Sequence, residues 1–497
     1  MVATLALYDT KAARTLDARA TAELGGDAFE LMRRAGRAAW HCALRHWPQA
    51  QRIVVVCGPG NNGGDGYVLA RLALEAGRSV RVVRLPEHSP TTPSAQRARD
   101  EFRQRQGPIE AFVDTLPPAD LIIDALFGIG LTRAPEGNAK ALIDAINAQP
   151  APRLSIDVPS GIDADTGGMP GAAVLATRTL EFIVPKPGLH TGPAITMRGR
   201  LELAELSMPS QMFDGIDPHS ALLLPDALKG VLRPRSRDAH KGDSGRVLCL
   251  GGDHGSGGAI MLCAEAALRA GAGLVDVATR EEYVGALLAR RPEAMVRAVE
   301  RSEDLAVQLE RADVVAAGPG LGQGMWGRVL FGAALGADKP LVLDADALNL
   351  LATRDNVALP SGAILTPHPG EAARLLGVSS AYIQNDRHGA ANAIAEKYDA
   401  VVVLKGAGTI VVERGRRAAV IGAGNPGMAA GGMGDLLTGV IAALRAQGMS
   451  AYDAACVGAL LHASAGDEAA RDGGERGLLP SDLLPRLRRL ANPDAIR

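Results

Sequence analysis

The sequence predicts an α/β protein of two domains. Three observations carry this: a length of 497 residues, 59 glycines set against 3% aromatic residues, and strand-like apolar runs that recur with Gly-rich turns and helical stretches between them. A chain of this length exceeds the size at which one hydrophobic core stops growing. Glycine between Val-, Ile-, Leu- and Ala-rich runs suits the turns of alternating strands and helices.

In the first half, residues 53–57 form a β-branched run that ends at Gly58, followed by a Gly-rich loop and an apolar-periodic helix over 67–76. Further runs at 80–85, 121–125, 154–158 and 180–184, with a helix at 139–148 among them, predict a mostly parallel sheet covered on both faces, a Rossmann-like three-layer sandwich. Between 207 and 237 the pattern breaks into Pro-, Ser- and Asp-containing sequence, which places the boundary there and gives domains 1–219 and 220–497. A new series starts at Val247, with runs at 247–250, 274–278, 314–317, 340–343, 364–366 and 401–404 and a closing helix pair over about 434–471. The chain shows no short-period repeat and no low-complexity tract.

Composition narrows the function classes. With 53 Lys and Arg against 55 Asp and Glu, the net charge of −2 gives no global pull toward nucleic acid or anionic lipid, so any anionic ligand must be held by local groups. The five cysteines, Cys42, Cys57, Cys249, Cys263 and Cys456, are odd in number and lack CxxC spacing, which points to buried thiols rather than disulfides or zinc. Neither a signal segment nor an apolar run long enough to span a membrane is present, and a cytoplasmic location is expected.

The loop Gly58-Pro-Gly-Asn-Asn-Gly-Gly-Asp-Gly66 contains G-x-G-x-x-G after a strand. Such glycines let backbone N–H groups approach a phosphate at a helix N-terminus, but they equally make a tight turn between strand and helix. Asn61, Asn62 and Asp65 add oxygen-bearing side chains that suggest a cation or a sugar hydroxyl. Asp124, in Asp-Ala-Leu-Phe-Gly-Ile-Gly130, and Asp157, in Asp-Val-Pro-Ser-Gly161, close two more strands. Strand C-termini of a parallel sheet share an edge, so Asn62, Asp124, Asp157 and Ser160 can converge on one crevice whose oxygen-only donors fit a hard cation better than zinc. Each Asp alone also reads as a helix N-cap.

The segments Asn61-Asn-Gly-Gly-Asp-Gly66, Asp124-Ala-Leu-Phe-Gly-Ile-Gly130 and Ile156-Asp-Val-Pro-Ser-Gly-Ile162 resemble NAD(P)H-hydrate epimerases over roughly residues 5–210. The resemblance implies a potassium ion held by Asn62, Asp124 and Ser160. It implies substrate contacts from Asn61, Asn62, Gly63, Gly64 and Asp65, from Gly128, Ile129, Gly130, Leu131, Thr132 and Arg133, and from Asp157. Asp157 is also the candidate acid/base that inverts the hydrated carbon of the nicotinamide ring. Lys186, in Pro185-Lys-Pro-Gly188, is read either as its assistant or as a solvated surface lysine.

In the second half, Gly431-Gly-Met-Gly-Asp-Leu-Leu-Thr-Gly439 opens an apolar-periodic helix with a Gly turn and an acid. Such a helix N-terminus offers an anion hole, and Asp435 reads as a base for an attacking hydroxyl or as a dipole-compensating acid. Lys405-Gly-Ala-Gly-Thr409 follows a strand and suits nucleotide phosphates or a hairpin turn, while prolines flank His368 in Thr366-Pro-His-Pro-Gly-Glu371 and fix its place.

With Lys241-Gly-Asp-Ser-Gly-Arg246, Ala316-Ala-Gly-Pro-Gly-Leu-Gly322 and Asp344-Ala-Asp-Ala-Leu-Asn349, these motifs resemble ADP- or ATP-dependent NAD(P)H-hydrate dehydratases, a ribokinase-like α/β branch, over roughly 225–495. The resemblance implies that Lys405, Gly406, Ala407, Gly408, Thr409 and Gly434 bind the adenine nucleotide. Ala259, Gly322, His368 and Asp435 would contact the hydrated dinucleotide, with Asp435 catalytic. ADP with Mg2+ would be the phosphoryl donor, the hydrates of NADH and NADPH the substrates, and the chain a homo-oligomer without nucleic-acid or membrane partners. Two rival readings are a ribokinase-type small-molecule kinase with an accessory domain and a non-catalytic dinucleotide sensor. An NAD dehydrogenase fits less well, because no clear acidic residue stands ~20 residues beyond the first glycines.

Overall fold

A computed structural model describes residues 4–131, 133–354 and 356–492. The chain forms two compact units, Ala6–Ser220 and Ala221–Arg497, the second joined by the N-terminal residues up to Leu5. The first strand, β1 (Thr4–Leu7), accordingly belongs to the edge of the second sheet.

The first unit is built on β2 (Arg52–Cys57), β3 (Ser79–Arg84), β4 (Ile109–Ala111), β5 (Leu121–Ala125), β6 (Arg153–Ile156), β7 (Arg178–Phe182) and β8 (Arg200–Ala204). Their order is β4-β3-β2-β5-β6-β7-β8, and all neighbours run parallel. Side chains alternate between two cores. Ile53, Val55 and Cys57 pack with helices Ala28–His46 and Asn61–Glu75, whereas Val54 and Val56 face Leu142, Ile143 and Ile146 of helix Gly137–Ala148. Both faces are thus covered, as the continuous apolar runs require.

Three departures from the expected boundaries have a local cause. The strand expected over 154–158 ends at Ile156 because Asp157 takes φ 68°, and the run expected over 180–184 ends at Phe182 because Ile183 takes φ 61°. Positive φ removes a non-glycine residue from extended geometry. The helix expected from Tyr67 begins at Asn61, so most of the glycine-rich segment is helical. Intrinsic propensity argued for a loop, but a Cβ on Gly63 would lie 2.0 Å from the Gly58 carbonyl oxygen, so only glycine lets the first turn press onto the strand end.

The second sheet adds β9 (Ser220–Leu223), β10 (Arg246–Leu250), β11 (Leu274–Thr279), β12 (Met295–Ala298), β13 (Val314–Ala317), β14 (Leu341–Leu343), β15 (Ile364–Leu365), β16 (Val401–Leu404), β17 (Ile410–Val412) and β18 (Ala418–Ile421). The order is β1-β9-β18-β17-β16-β15-β14-β13-β10-β11-β12. From β16 through β12 the neighbours are parallel, while β16, β17 and β18 form an antiparallel meander. Helices Gly257–Ala270, Met433–Ala446 and Ala451–Gly473 share a core with alternate residues of the central strands. All five cysteines are free and buried. Among the described residues no helix is long and apolar enough to cross a membrane.

Candidate active sites

Among its parallel strands each sheet reverses strand order once, between β2 and β5 in the first unit and between β10 and β13 in the second. Crevices open at the strand C-termini at such switch points. Both motif sets lie there, apart from residues 241–246.

In the first unit a cavity of about 820 Å³ is lined by residues that include Asn61, Asn62, Asp65, Gly128, Ile129, Gly130, Leu131, Arg133 and Asp157. Gly63 and Gly64 do not line it; both are buried in the packing of their helix. Thr132 lies outside the described residues. The Asn61 side-chain oxygen accepts from the Thr92 hydroxyl at 2.7 Å.

Asp157 is held by its own strand-ending turn. Its N–H donates to Leu180 O at 2.7 Å, and its Oδ2 accepts from Ile129 N at 3.3 Å. Its Oδ1 pairs with Lys186 Nζ at 2.6 Å, and Lys186 also donates to Phe182 O at 2.9 Å. Lys186 is 1% exposed and paired with the Asp157 carboxylate, so the solvated-surface reading of this residue is overturned.

Two further acids face the same cavity, Asp17 from helix Thr10–Glu23 and Asp65. Burial, and then the charge of Asp157, push Asp17 up to about 6 and Asp65 well above the usual carboxylate range. Asp17 carries no motif letters, and its only sequence signal is a polar position beside the buried stripe Ala13, Leu16 and Ala20.

Asp124 and Ser160 meet directly behind the cavity wall. Asp124 is fully buried; Ser160 Oγ donates to its Oδ1 at 2.5 Å, and Ser155 Oγ and Ser160 N donate to its Oδ2 at 2.7 and 2.9 Å. Burial raises its carboxyl against the pull of these donors. The Asn62 amide, oriented to satisfy both ends, donates to Ile156 O at 3.2 Å and accepts from Gly128 N at 3.3 Å. Among the described residues no basic side chain pairs with Asp124.

In the second unit the strand-end loops 251–256 and 318–322 are stitched by Gly252 N to Pro319 O at 3.1 Å and Asp253 N to Gly320 O at 2.6 Å. Ala259 sits in the first turn of helix Gly257–Ala270. The Gly322 N–H donates to Asp346 Oδ2 at 2.9 Å. His368 caps helix Pro369–Leu376; its Nδ1 accepts from Gly370 N at 2.9 Å and Glu371 N at 3.3 Å, which leaves the ring proton on Nε2.

Lys405 and Gly434 come together with Asp435. Lys405 Nζ lies 2.5 Å from Asp344 Oδ1 and 3.7 Å from Glu371 Oε2. Burial alone would depress this ammonium, but the two carboxylates outweigh it and hold it above its ordinary value. Asp435 stands in the first turn of helix Met433–Ala446, pushed up to about 6 by burial and then by the charge of Asp344. Residues 405–409 form the β16–β17 turn, as the hairpin reading expects; Arg387, 1% exposed, donates to the carbonyls of Leu404 and Lys405 behind it. Residues 241–246 precede and open β10 and therefore lie at the opposite sheet edge from the site. Asp344, Glu371, Asp346 and Thr438 are the groups that sequence reasoning did not single out. Asp344 bore the signal that marked Asp124, an acid closing a strand ahead of a helix.

Two family models match the chain, one described as NAD(P)H-hydrate dehydratase over residues 247–489 and one as YjeF-related protein N-terminus over residues 28–188. The chain is 46% identical to the bifunctional NAD(P)H-hydrate repair enzyme Nnr of Coxiella burnetii, covering 98% of this chain and 99% of that one. It is also 46% identical to the enzyme of that name in Escherichia coli, over 95% and 91% respectively. A ribokinase-like superfamily protein of Enterococcus faecalis matches in structure with 31% identity and a TM-score of 0.51, over 55% of this chain and 95% of that one.

Proposed function

The chain belongs to the bifunctional NAD(P)H-hydrate repair enzymes, and from that membership we propose how its two units share the repair of hydrated NADH and NADPH. The unit Ala6–Ser220 epimerises the R and S hydrates, and the unit Ala221–Arg497 dehydrates the S form back to NAD(P)H at the expense of ADP. A homo-oligomer in the cytoplasm completes the reading.

In the first unit Asp157 acts as the acid/base in inverting the hydrated carbon, and Lys186 fixes its carboxylate. Asn62, Asp124 and Ser160 would hold a potassium ion. Their donors are all oxygen, and a buried carboxylate without a basic partner suits a nearby cation. The ion would supply fixed positive charge beside loop 126–130, which lines the cavity.

In the second unit Asp435 accepts the proton of the ring hydroxyl, whose oxygen then attacks the β-phosphorus of ADP. AMP leaves, the ring nitrogen lone pair expels phosphate from the hydrated carbon to give an iminium, and loss of a proton from the neighbouring ring carbon restores the dihydropyridine. Phosphorylation converts a poor leaving group into a good one. Lys405 and the N–H groups around Gly434 steady the charge on the transferred group, so positioning and electrostatics carry most of the rate. ADP enters with its Mg2+ as substrate.

The observation that carries this reading is Asp435 at a helix N-terminus, raised to about 6, beside the Lys405 ammonium. A general base works best with its pKa near the operating pH. Supplying hydrated NADH with ADP and following absorbance of the reduced ring tests it: recovery supports the reading, and a stable phosphorylated product would favour a kinase instead.

A further inference from the structure

We propose that Asp344 is the positioning residue of the dehydration centre: from the end of β14 it holds the Lys405 ammonium against Gly434 and, through Thr438, ties that cation to the helix that carries Asp435. The proposal rests on the assignment of Asp435 as the base.

Asp344 occupies the N-cap position of helix Ala345–Ala352, with extended backbone at φ −138°, yet its side chain caps nothing there. An Asp in that position normally accepts from the N–H groups of its own helix. This carboxylate, 1% exposed, instead spends both oxygens elsewhere. Oδ1 takes Lys405 Nζ at 2.5 Å, and Oδ2 takes the Thr438 hydroxyl at 2.8 Å. Thr366 adds a further hydrogen bond.

The two partners come from different elements. Lys405 follows β16, whereas Thr438 lies one turn beyond Gly434 in helix Met433–Ala446, its Oγ1 3.1 Å from Gly434 O. A Cβ on Gly434 would stand 3.1 Å from Lys405 Nζ and 3.3 Å from Asp344 Oδ2, so a side chain there would crowd the ion pair under the helix start. An ammonium has three donors. Asp344 takes one, and Glu371 at 3.7 Å is too distant for a strong second bond, which leaves capacity for a phosphate oxygen.

Charge reinforces the geometry. The groups facing Asp435 are Asp344, Lys405, Glu371 and Asp346, with the buried Cys263 thiol on helix Gly257–Ala270. After burial, Asp344 contributes most to raising Asp435, and it also raises Lys405. Neutralising Asp344 therefore moves the titration of both groups to lower pH.

The test is dehydration rate against pH for the full chain and for Asp344→Asn and Thr438→Val, with circular dichroism and the thermal unfolding transition of the second unit in the same samples reporting that each variant is folded. Asp344→Asn should lower kcat ~10²-fold, as a misplaced catalytic constellation does, raise the KM for ADP, and shift the acid limb to lower pH. Thr438→Val removes one hydrogen bond to a charged group and should cost ~10-fold with the acid limb in place. An Asp344→Asn enzyme with wild-type rate and an unmoved acid limb would overturn the proposal. If that variant does not fold, wild-type dehydration by Thr438→Val overturns it instead. Persistence of the wild-type acid limb in Asp435→Asn would refute the base assignment, while a raised ADP KM in Asp344→Asn would still report the anchoring of Lys405.

Discussion

Lys186 Nζ lies 2.6 Å from Asp157 Oδ1, and the lysine is 1% exposed. Removing Lys186 leaves the Asp157 carboxylate, whose side chain is 14% exposed, without its cation, and breaking such a pair typically costs up to about 3–5 kcal/mol. Lys186→Met should therefore lower the thermal midpoint of the first unit and slow epimer exchange ~10²-fold, with dehydration retained. Exchange at the wild-type rate would return Lys186 to a purely structural role.

Asp435→Asn should lower dehydration by ~10²–10⁴, the usual cost of losing a general base, and leave epimer exchange intact. Near-normal turnover would reduce Asp435 to a helix-dipole acid.

The wild-type pH profile follows from the same group. A base must be ionised, and burial raises Asp435 to about 6, so dehydration should be sustained above that pH and fall as pH drops through it. Stopped reactions across this range, with epimer exchange measured alongside, check the sign. A rate that rises on acidification would contradict it.

Asp124 is fully buried with only neutral donors around it. Replacing potassium by a bulky organic cation should slow epimer exchange, and Asp124→Ala should be slow in either salt. Equal rates for wild type in both salts, with an unaffected Asp124→Ala, would make the cluster a fold feature.

Ala259, Gly322, Asp344, His368, Lys405 and Asp435 all follow residue 220 in the chain. Expressed alone, residues 220–497 should dehydrate the S hydrate, and residues 1–219 should exchange epimers. Because β1 belongs to the second sheet, the larger piece loses an edge strand and should unfold at lower temperature than in the full chain. Dehydration seen only on remixing would mean that the second centre needs groups from the first piece.

The strands were legible where they are buried on both faces: β2, β5, β13 and β16 are apolar runs whose bounds the pattern nearly meets. The strands β1, β4, β8, β9 and β12 were missed because each is partly exposed and so lacks a continuous apolar run, and the buried meander strands β17 and β18 were missed as well. The glycine segment misread as loop is helical because tertiary packing overrides propensity at Gly63. Acids at strand ends pointed to both crevices. Pairing was not legible: nothing in Pro185-Lys-Pro-Gly188 says that Lys186 turns inward to Asp157, nor that Asp344 abandons its own helix for Lys405.

The most direct measurement supplies a mixture of both hydrated NADH epimers with ADP and follows recovery of reduced-ring absorbance in wild type, Asp157→Asn and Asp435→Asn. Wild type should convert the whole mixture. Asp157→Asn should stall once the S form is consumed and then creep at the spontaneous exchange rate, while Asp435→Asn should recover almost nothing. Full conversion by Asp157→Asn at the wild-type rate, or recovery by Asp435→Asn, would contradict the division of labour between the two centres.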